Sequence, residues 1–156
     1  MDLATLNKVI FIRHGAFDDG NDFLNQKGIS QIQEIKTNLQ TNFLQNINYK
    51  VISSTGKRAI QSAKIFSNNN VDLISDQLIY KKSTEVDLHS ILILLTGFSS
   101  VCGHLMVFTH GEFIKVLTIE LQKEFLFQDP ITNLERGTCF YTTFDSFKKQ
   151  IYTSYV

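Results

Sequence analysis

Three short stretches of the chain set arginine, histidine and glycine at points of punctuation. Arg13-His14-Gly15 follows the apolar run Val9-Ile10-Phe11-Ile12. Arg58 stands inside "SSTGKRAIQSA", residues 53–63, and His110-Gly111 inside "THGE", residues 109–112. Two guanidiniums and two imidazoles around one point suit a phosphoryl group, because arginine's planar fork matches phosphate oxygens. A neutral imidazole among them is a good nucleophile near neutral pH. Gly15 is expected to let the backbone come close to the anion. Taken singly, each residue has an ordinary reading: Arg13 a solvated strand end, Arg58 a surface helix residue, His14 and His110 structural histidines. Four such accidents at equivalent points are harder to credit than one site.

Competing chemistries lack their residues. "STGKR" is no phosphate-binding Walker loop, which needs glycine where Val51 stands and Ser or Thr where Arg58 stands. His89, His104 and His110 have no paired metal-ligand spacing, and Cys102 and Cys139 form none either. The two cysteines read as buried thiols of a reducing compartment. No metal and no cofactor is expected.

The elements that would position these residues follow from periodicity. Lys8 to Ile12, Tyr49 to Ser53 and His104 to Thr109 read as buried strands. From Gly28, the apolar residues Ile29, Ile32, Ile35, Leu39 and Phe43 mark an amphipathic helix. Ala59, Ala63 and Phe66 mark a second, and Asn68 to Asn70 a loop after it. A third helix is predicted from Thr84, where Thr84 and Asp87 have capping-box spacing, to Gly97. A fourth runs from about Glu112 with Phe113, Leu117 and Leu121 inward, and Thr138 to Phe144 with Gln150 to Tyr155 reads as a hairpin. Strands alternating with helices give an α/β fold, a mostly parallel sheet covered on both faces. Ligands of such sheets bind beyond the carboxyl ends of the strands, where helix N-termini add N–H donors and a favourable dipole. Arg13, His14, Arg58 and His110 would all emerge there.

Composition sets the surroundings. At 156 residues the chain fits one domain, residues 1–156, with neither internal repeat nor linker. Lys plus Arg equals Asp plus Glu at 15 each, so the basic excess of a nucleic-acid binder is missing. The longest apolar run, Ile91 to Leu95, is too short to span a membrane, and "MDLATLNKV" has no leader pattern. A cytoplasmic protein is expected.

At these residues the chain resembles the histidine phosphatase superfamily, also called phosphoglycerate mutase-like. Arg13-His14-Gly15 is similar to its Arg-His-Gly signature. Leu24 to Gln31 is similar to its "LTxxGxxQ" helix start, with Asn25 in the threonine position. Ser54 to Ala63 is similar to its "SxxxRAxQTA" segment, with Ser62 replacing threonine, and Thr109-His110-Gly111 to its "THG". The resemblance runs from about residue 8 to 144. It implies a three-layer α/β/α sandwich, His14 as the nucleophile that becomes phosphorylated, and Arg13, Arg58, His110 and Gly111 as phosphate-binding residues.

The departures from that pattern shape the expectation. The family's acid stands two residues after a leucine downstream of the second motif, and at Leu78 that position is Tyr80. Glu85 and Asp87 are the nearby candidates for proton donor, although acids also belong in a helix's first turn as caps. Asp18 and Asp19 are further candidates. Between Arg58 and His110 there is no room for the lid of the mutases and bisphosphatases, so the chain is similar to the small SixA-type phosphohistidine phosphatases. The expectation is a metal-independent phosphatase acting on a phosphorylated protein, phosphohistidine favoured, through a covalent phosphohistidine. The alternatives are a small-metabolite phosphomonoesterase or mutase and a non-catalytic phosphate binder.

Overall fold

The computed structural model describes residues 8–82, 86–124, 133–145 and 150–155. Strand β1, Lys8–Arg13, sets the plan. Side chains alternate across a strand, so Val9 and Phe11 point one way and Ile10 and Ile12 the other. Both pairs are buried, in different cores. Val9 and Phe11 join Leu105, Val107 and the inner faces of two helices, Leu88–Thr96 and Gly111–Glu124. Ile10 and Ile12 join Met106, Phe108 and the helices Gln26–Asn42 and Lys57–Ser67. One sheet buried on both sides by helices is a three-layer α/β/α sandwich, as the alternation of elements predicts.

In chain order the elements are β1, α1 (Gln26–Asn42), β2 (Tyr49–Ser54), α2 (Lys57–Ser67), β3 (Leu73–Ser75), α3 (Leu88–Thr96), β4 (His104–Thr109), α4 (Gly111–Glu124), β5 (Cys139–Asp145) and β6 (Gln150–Tyr155). The six strands lie in the order β3-β2-β4-β1-β5-β6. The first four are parallel; β5 runs antiparallel to β1, and β6 to β5. β5 and β6 are the predicted hairpin. No helix among the described residues is long and apolar enough to cross a membrane.

Two helix starts differ from expectation. α1 begins at Gln26 rather than Gly28, because the Asn25 side chain accepts from the Gly28 N–H at 2.9 Å and so caps it. α3 begins at Leu88 rather than Thr84. Asp87 is its cap, accepting from the Ser90 N–H at 3.3 Å and the Ser90 hydroxyl at 2.6 Å. Thr84 lies outside the described residues. Strand β3 and the 3-10 turn Asp76–Leu78 span only three residues each, too few for periodicity to register.

Candidate active site

Three adjacent strands, in the order β2-β4-β1, bring the site together. Arg13 pairs with Thr109 and Ser53 with Phe108, so the three strands end side by side. His14 follows β1, His110 follows β4, and Arg58 is the second residue of the helix after β2. Arg13, His14, Arg58, His110 and Gly111 all line one pocket of about 290 Å3. The four cationic or imidazole groups picked out by residue type are therefore neighbours in space.

His14 is held in one tautomer. It is 3% exposed, and its Nδ1 lies 2.9 Å from the Gly15 carbonyl oxygen. A carbonyl only accepts, so Nδ1 carries the proton and Nε2 keeps its lone pair. Burial, then Arg58, Arg13 and Arg136, lower the ring from 6.5 to about 4, against the pull of the Gly15 carbonyl. At neutral pH this is an uncharged imidazole.

His110 lies with its ring centre 5.0 Å from that of His14. Its Nε2 is 2.9 Å from the Ser54 hydroxyl, which fixes the ring's orientation. Burial first, then the charges of His14, Arg58 and Arg13, bring it to about 4 as well. Gly56 explains the other side of this contact: a Cβ there would fall on the His110 ring. The glycine of "STGKR" therefore makes room for an imidazole.

Gly15 has a different reason from the expected one. A Cβ on it would stand 2.5 Å from the Gly28 carbonyl oxygen, so its smallness serves packing of this loop against α1. The glycines of the first two motifs touch each other.

Arg13 donates through Nη1 to the Leu134 carbonyl at 2.5 Å, while its Nε is buried with no partner among the described residues. Burial, then Arg136, hold its guanidinium below the ordinary value, and Glu112 pulls it back up. Arg58 stacks over the Phe17 ring, 3.5 Å from its centre, and Arg136 packs over the same ring at 4.1 Å. The ion pairs among the described residues, Lys50–Asp72, Lys57–Asp22, Lys81–Asp76 and Lys123–Glu120, all use lysine. Among the described residues none of the three arginines, Arg13, Arg58 and Arg136, meets a carboxylate within 4.0 Å.

The proton-donor candidates fare differently. Glu85 lies outside the described residues. Asp87 is spent as the cap of α3 and lines a separate cavity with Asp76 and Lys81, away from His14. Hydrogen bonds to Ser90 keep its carboxyl below the usual value. Asp18 accepts from the Asn25 side chain at 2.9 Å, and both Asp18 and Asp19 are exposed outside the pocket walls. The carboxylate that does line the pocket is Glu112, two residues after His110. It also lines a neighbouring cleft of about 460 Å3 with Arg58, His110 and Tyr80. Residue spacing pointed past Glu112 because it opens a helix, where an acid is ordinary. Arg136 and Phe17 were also missed. The signal for Arg136 was available: the chain has three arginines in all, and they converge here. Among the described residues no group of three His, Cys, Asp or Glu side chains could hold a metal ion.

No family model and no curated protein sequence matches the chain. Its fold does match solved structures. The protein histidine phosphatase SixA, complexed with tungstate, superposes with a TM-score of 0.69 at 16% identity over 94% of each chain. A phosphoserine phosphatase mutant from Entamoeba histolytica, in complex with phosphoserine, gives 0.66 at 15% identity over 95% of each. A mycobacterial glucosyl-3-phosphoglycerate phosphatase gives 0.63 at 13% identity over 96% of this chain and 97% of that one. Likeness at such low identity over nearly whole chains is a likeness of fold.

Proposed function

We propose that this chain, which has the phosphoglycerate mutase-like fold of the histidine phosphatases, is itself a phosphatase that forms a phosphohistidine at His14 and acts on a phosphorylated protein, phosphohistidine first among its targets. One observation carries the reading. His14 Nδ1 is tied to the Gly15 carbonyl, so the lone pair of Nε2 is kept in a pocket whose other walls include Arg13, Arg58 and His110.

In the first step Nε2 attacks phosphorus, and the bond to the leaving nitrogen or oxygen breaks with its electrons going to that atom. Arg13, Arg58 and His110 meet the charge on the phosphoryl oxygens, and the N-terminus of α4 at Gly111 adds donors. The buried, unpartnered Nε of Arg13 is a donor that such an oxygen would satisfy. Water then attacks the phosphohistidine, the P–N electrons return to Nε2, and inorganic phosphate leaves. Glu112 takes the proton work: it protonates a poor leaving atom in the first step and accepts a proton from water in the second. The guanidiniums fill the charge role that a metal has in other phosphatases, and no metal or cofactor is assigned.

Support for a protein substrate is how little of the described chain between Arg58 and His110 is left over to form a lid. Helices α2 and α3, the short β3 and the strand β4 account for most of the chain between Arg58 and His110. A site without a lid takes specificity from contacts beyond the phosphate. Glu112 supports the second reading, a small phosphomonoesterase, because a carboxyl group beside the pocket can protonate an alkoxide. The two are separated by kcat/KM over phosphohistidine peptide, phosphotyrosine peptide, and sugar and glycerate phosphates. The protein reading expects a phosphopeptide to lead; a metabolite in first place overturns it. Acid-labile phosphate trapped at His14, and lost in His14→Ala, tests the covalent step. A phosphoenzyme at another residue would refute it.

A further inference from the structure

The pocket at His14 opens beside a second space. The neighbouring cleft shares Arg58, His110 and Glu112 with it and continues past Gly56, Ile79 and Tyr80 to the ion pair Lys57–Asp22, closed at 2.9 Å. Lys57 Nζ in turn lies 5.7 Å from the centre of the Phe23 ring. Phe23 is 52% exposed, an aromatic ring standing in water beside the far end of a cleft.

Its exposure does not come from a loose loop. The Phe23 N–H donates to the Asn21 side chain at 3.1 Å. The next residue, Leu24, is buried, and its N–H donates to the Gln61 side chain at 2.7 Å, tying the loop to α2. Asn25 then caps α1. The backbone on both sides of Phe23 is tied by hydrogen bonds, which holds the ring beside the cleft. Preorganised aromatic rings of this kind anchor protein interfaces at small entropic cost.

We propose that the cleft and Phe23 form the docking surface for a phosphorylated protein: the segment bearing the phosphoresidue lies along the cleft over Gly56, and an apolar side chain beside that residue packs on Phe23. This rests on the phosphoprotein reading given above and adds the feature of the substrate that is recognised. A free phosphomonoester in the pocket would not reach Phe23, whereas a peptide running through the cleft would. The exposed Lys57–Asp22 pair borders the same path, offering one charge of each sign to the partner's backbone and side chains.

The test compares wild type and Phe23→Ala on three substrates: a short phosphohistidine peptide flanked by leucines, the same peptide flanked by alanines, and p-nitrophenyl phosphate. The wild type should prefer the leucine peptide. Phe23→Ala should lower kcat/KM on that peptide by about tenfold, the scale of an interface aromatic, and change the other two by less than about twofold. The rate on p-nitrophenyl phosphate also reports that the variant is folded. Equal losses on all three substrates, or none on the leucine peptide, overturn the docking surface. If the wild type cleaves p-nitrophenyl phosphate and neither peptide, the phosphoprotein reading has failed and takes the docking surface with it. If both peptides are cleaved alike by wild type and variant, the docking surface alone has failed.

Discussion

His14 should make the fold acid-sensitive in a way that one substitution removes. Burial above all, then the flanking guanidiniums, hold its imidazole at about 4, against an ordinary 6.5 in the unfolded chain. A lowered folded value means that the unfolded chain takes up its proton first. Stability is therefore full above about pH 6.5 and falls as the pH drops toward 4. For a group titrating at these two values the loss between pH 7 and pH 5 is about 2 kcal/mol. In a domain of this size that corresponds to a Tm lowered by about 4–8 °C. His110 and His104 are lowered too, each chiefly by burial, so the wild-type slope alone does not isolate His14. The comparison is with His14→Asn, whose amide can still donate to the Gly15 carbonyl but does not titrate. Urea unfolding at pH 7 and pH 5 should show the wild type losing about 2 kcal/mol more than the variant. Saturating phosphate should shrink the wild-type loss, because the anion gives an imidazolium its partner. Equal losses in the two proteins would refute the buried, neutral His14.

Three further outcomes are expected. Arg58→Lys keeps the charge but loses both the bidentate fork and the stack on Phe17, and should cost about 2 kcal/mol in transition-state stabilisation, read from kcat/KM. Glu112→Gln should lower kcat/KM by about a hundredfold for alkyl phosphates and far less for aryl phosphates, since this ratio reads the first step and only alkoxides need protonation there, while kcat falls for both through the shared hydrolysis step; a flat leaving-group dependence of kcat/KM in both proteins would remove Glu112 from the chemistry. Arg136→Gln should lower kcat/KM by about fivefold and move the acid limb of its pH profile upward, because one of the charges that keeps His14 neutral is gone.

The sequence made the plan of this fold readable because each layer writes its own period. β1 carries two apolar pairs for two cores, and the helices carry three- and four-residue spacing, so the α/β alternation is visible without any contact being known. The meeting of Arg13, His14, Arg58 and His110 could be anticipated because each closes a strand or opens the helix after it. What residue types could not give is depth and direction. Glu112 and Asp87 are both acids near helix starts, yet one faces the pocket and the other caps its own helix. Local spacing is the same evidence for both roles. Arg136 enters from the loop before β5, far along the chain, and only the antiparallel pairing of β5 with β1 brings it beside Phe17. Gly15 and Gly28 likewise read as separate turn residues until the packing of one against the other is seen.

The division of labour between the chain's cations follows from their chemistry. Lysine is a strongly hydrated point charge, and here four lysines pair with acids near the surface. Guanidinium is planar and weakly hydrated, so it can lose water to a carbonyl, as Arg13 does at Leu134, or to an aromatic face, as Arg58 and Arg136 do at Phe17. Those contacts hold the groups in place without cancelling their charge. A carboxylate partner at hydrogen-bond distance would stabilise the free fold more and occupy the donors a phosphoryl group needs. Holding Arg58 and Arg136 over one ring, with Arg13 close enough to feel both charges, costs the folded state, and an anion bound among them returns that energy. Any dianion that binds only the folded chain then raises its stability in proportion to RT ln(1 + [L]/Kd). On the function proposed above, the residues whose like charges cost the folded state are the ones that would select phosphate.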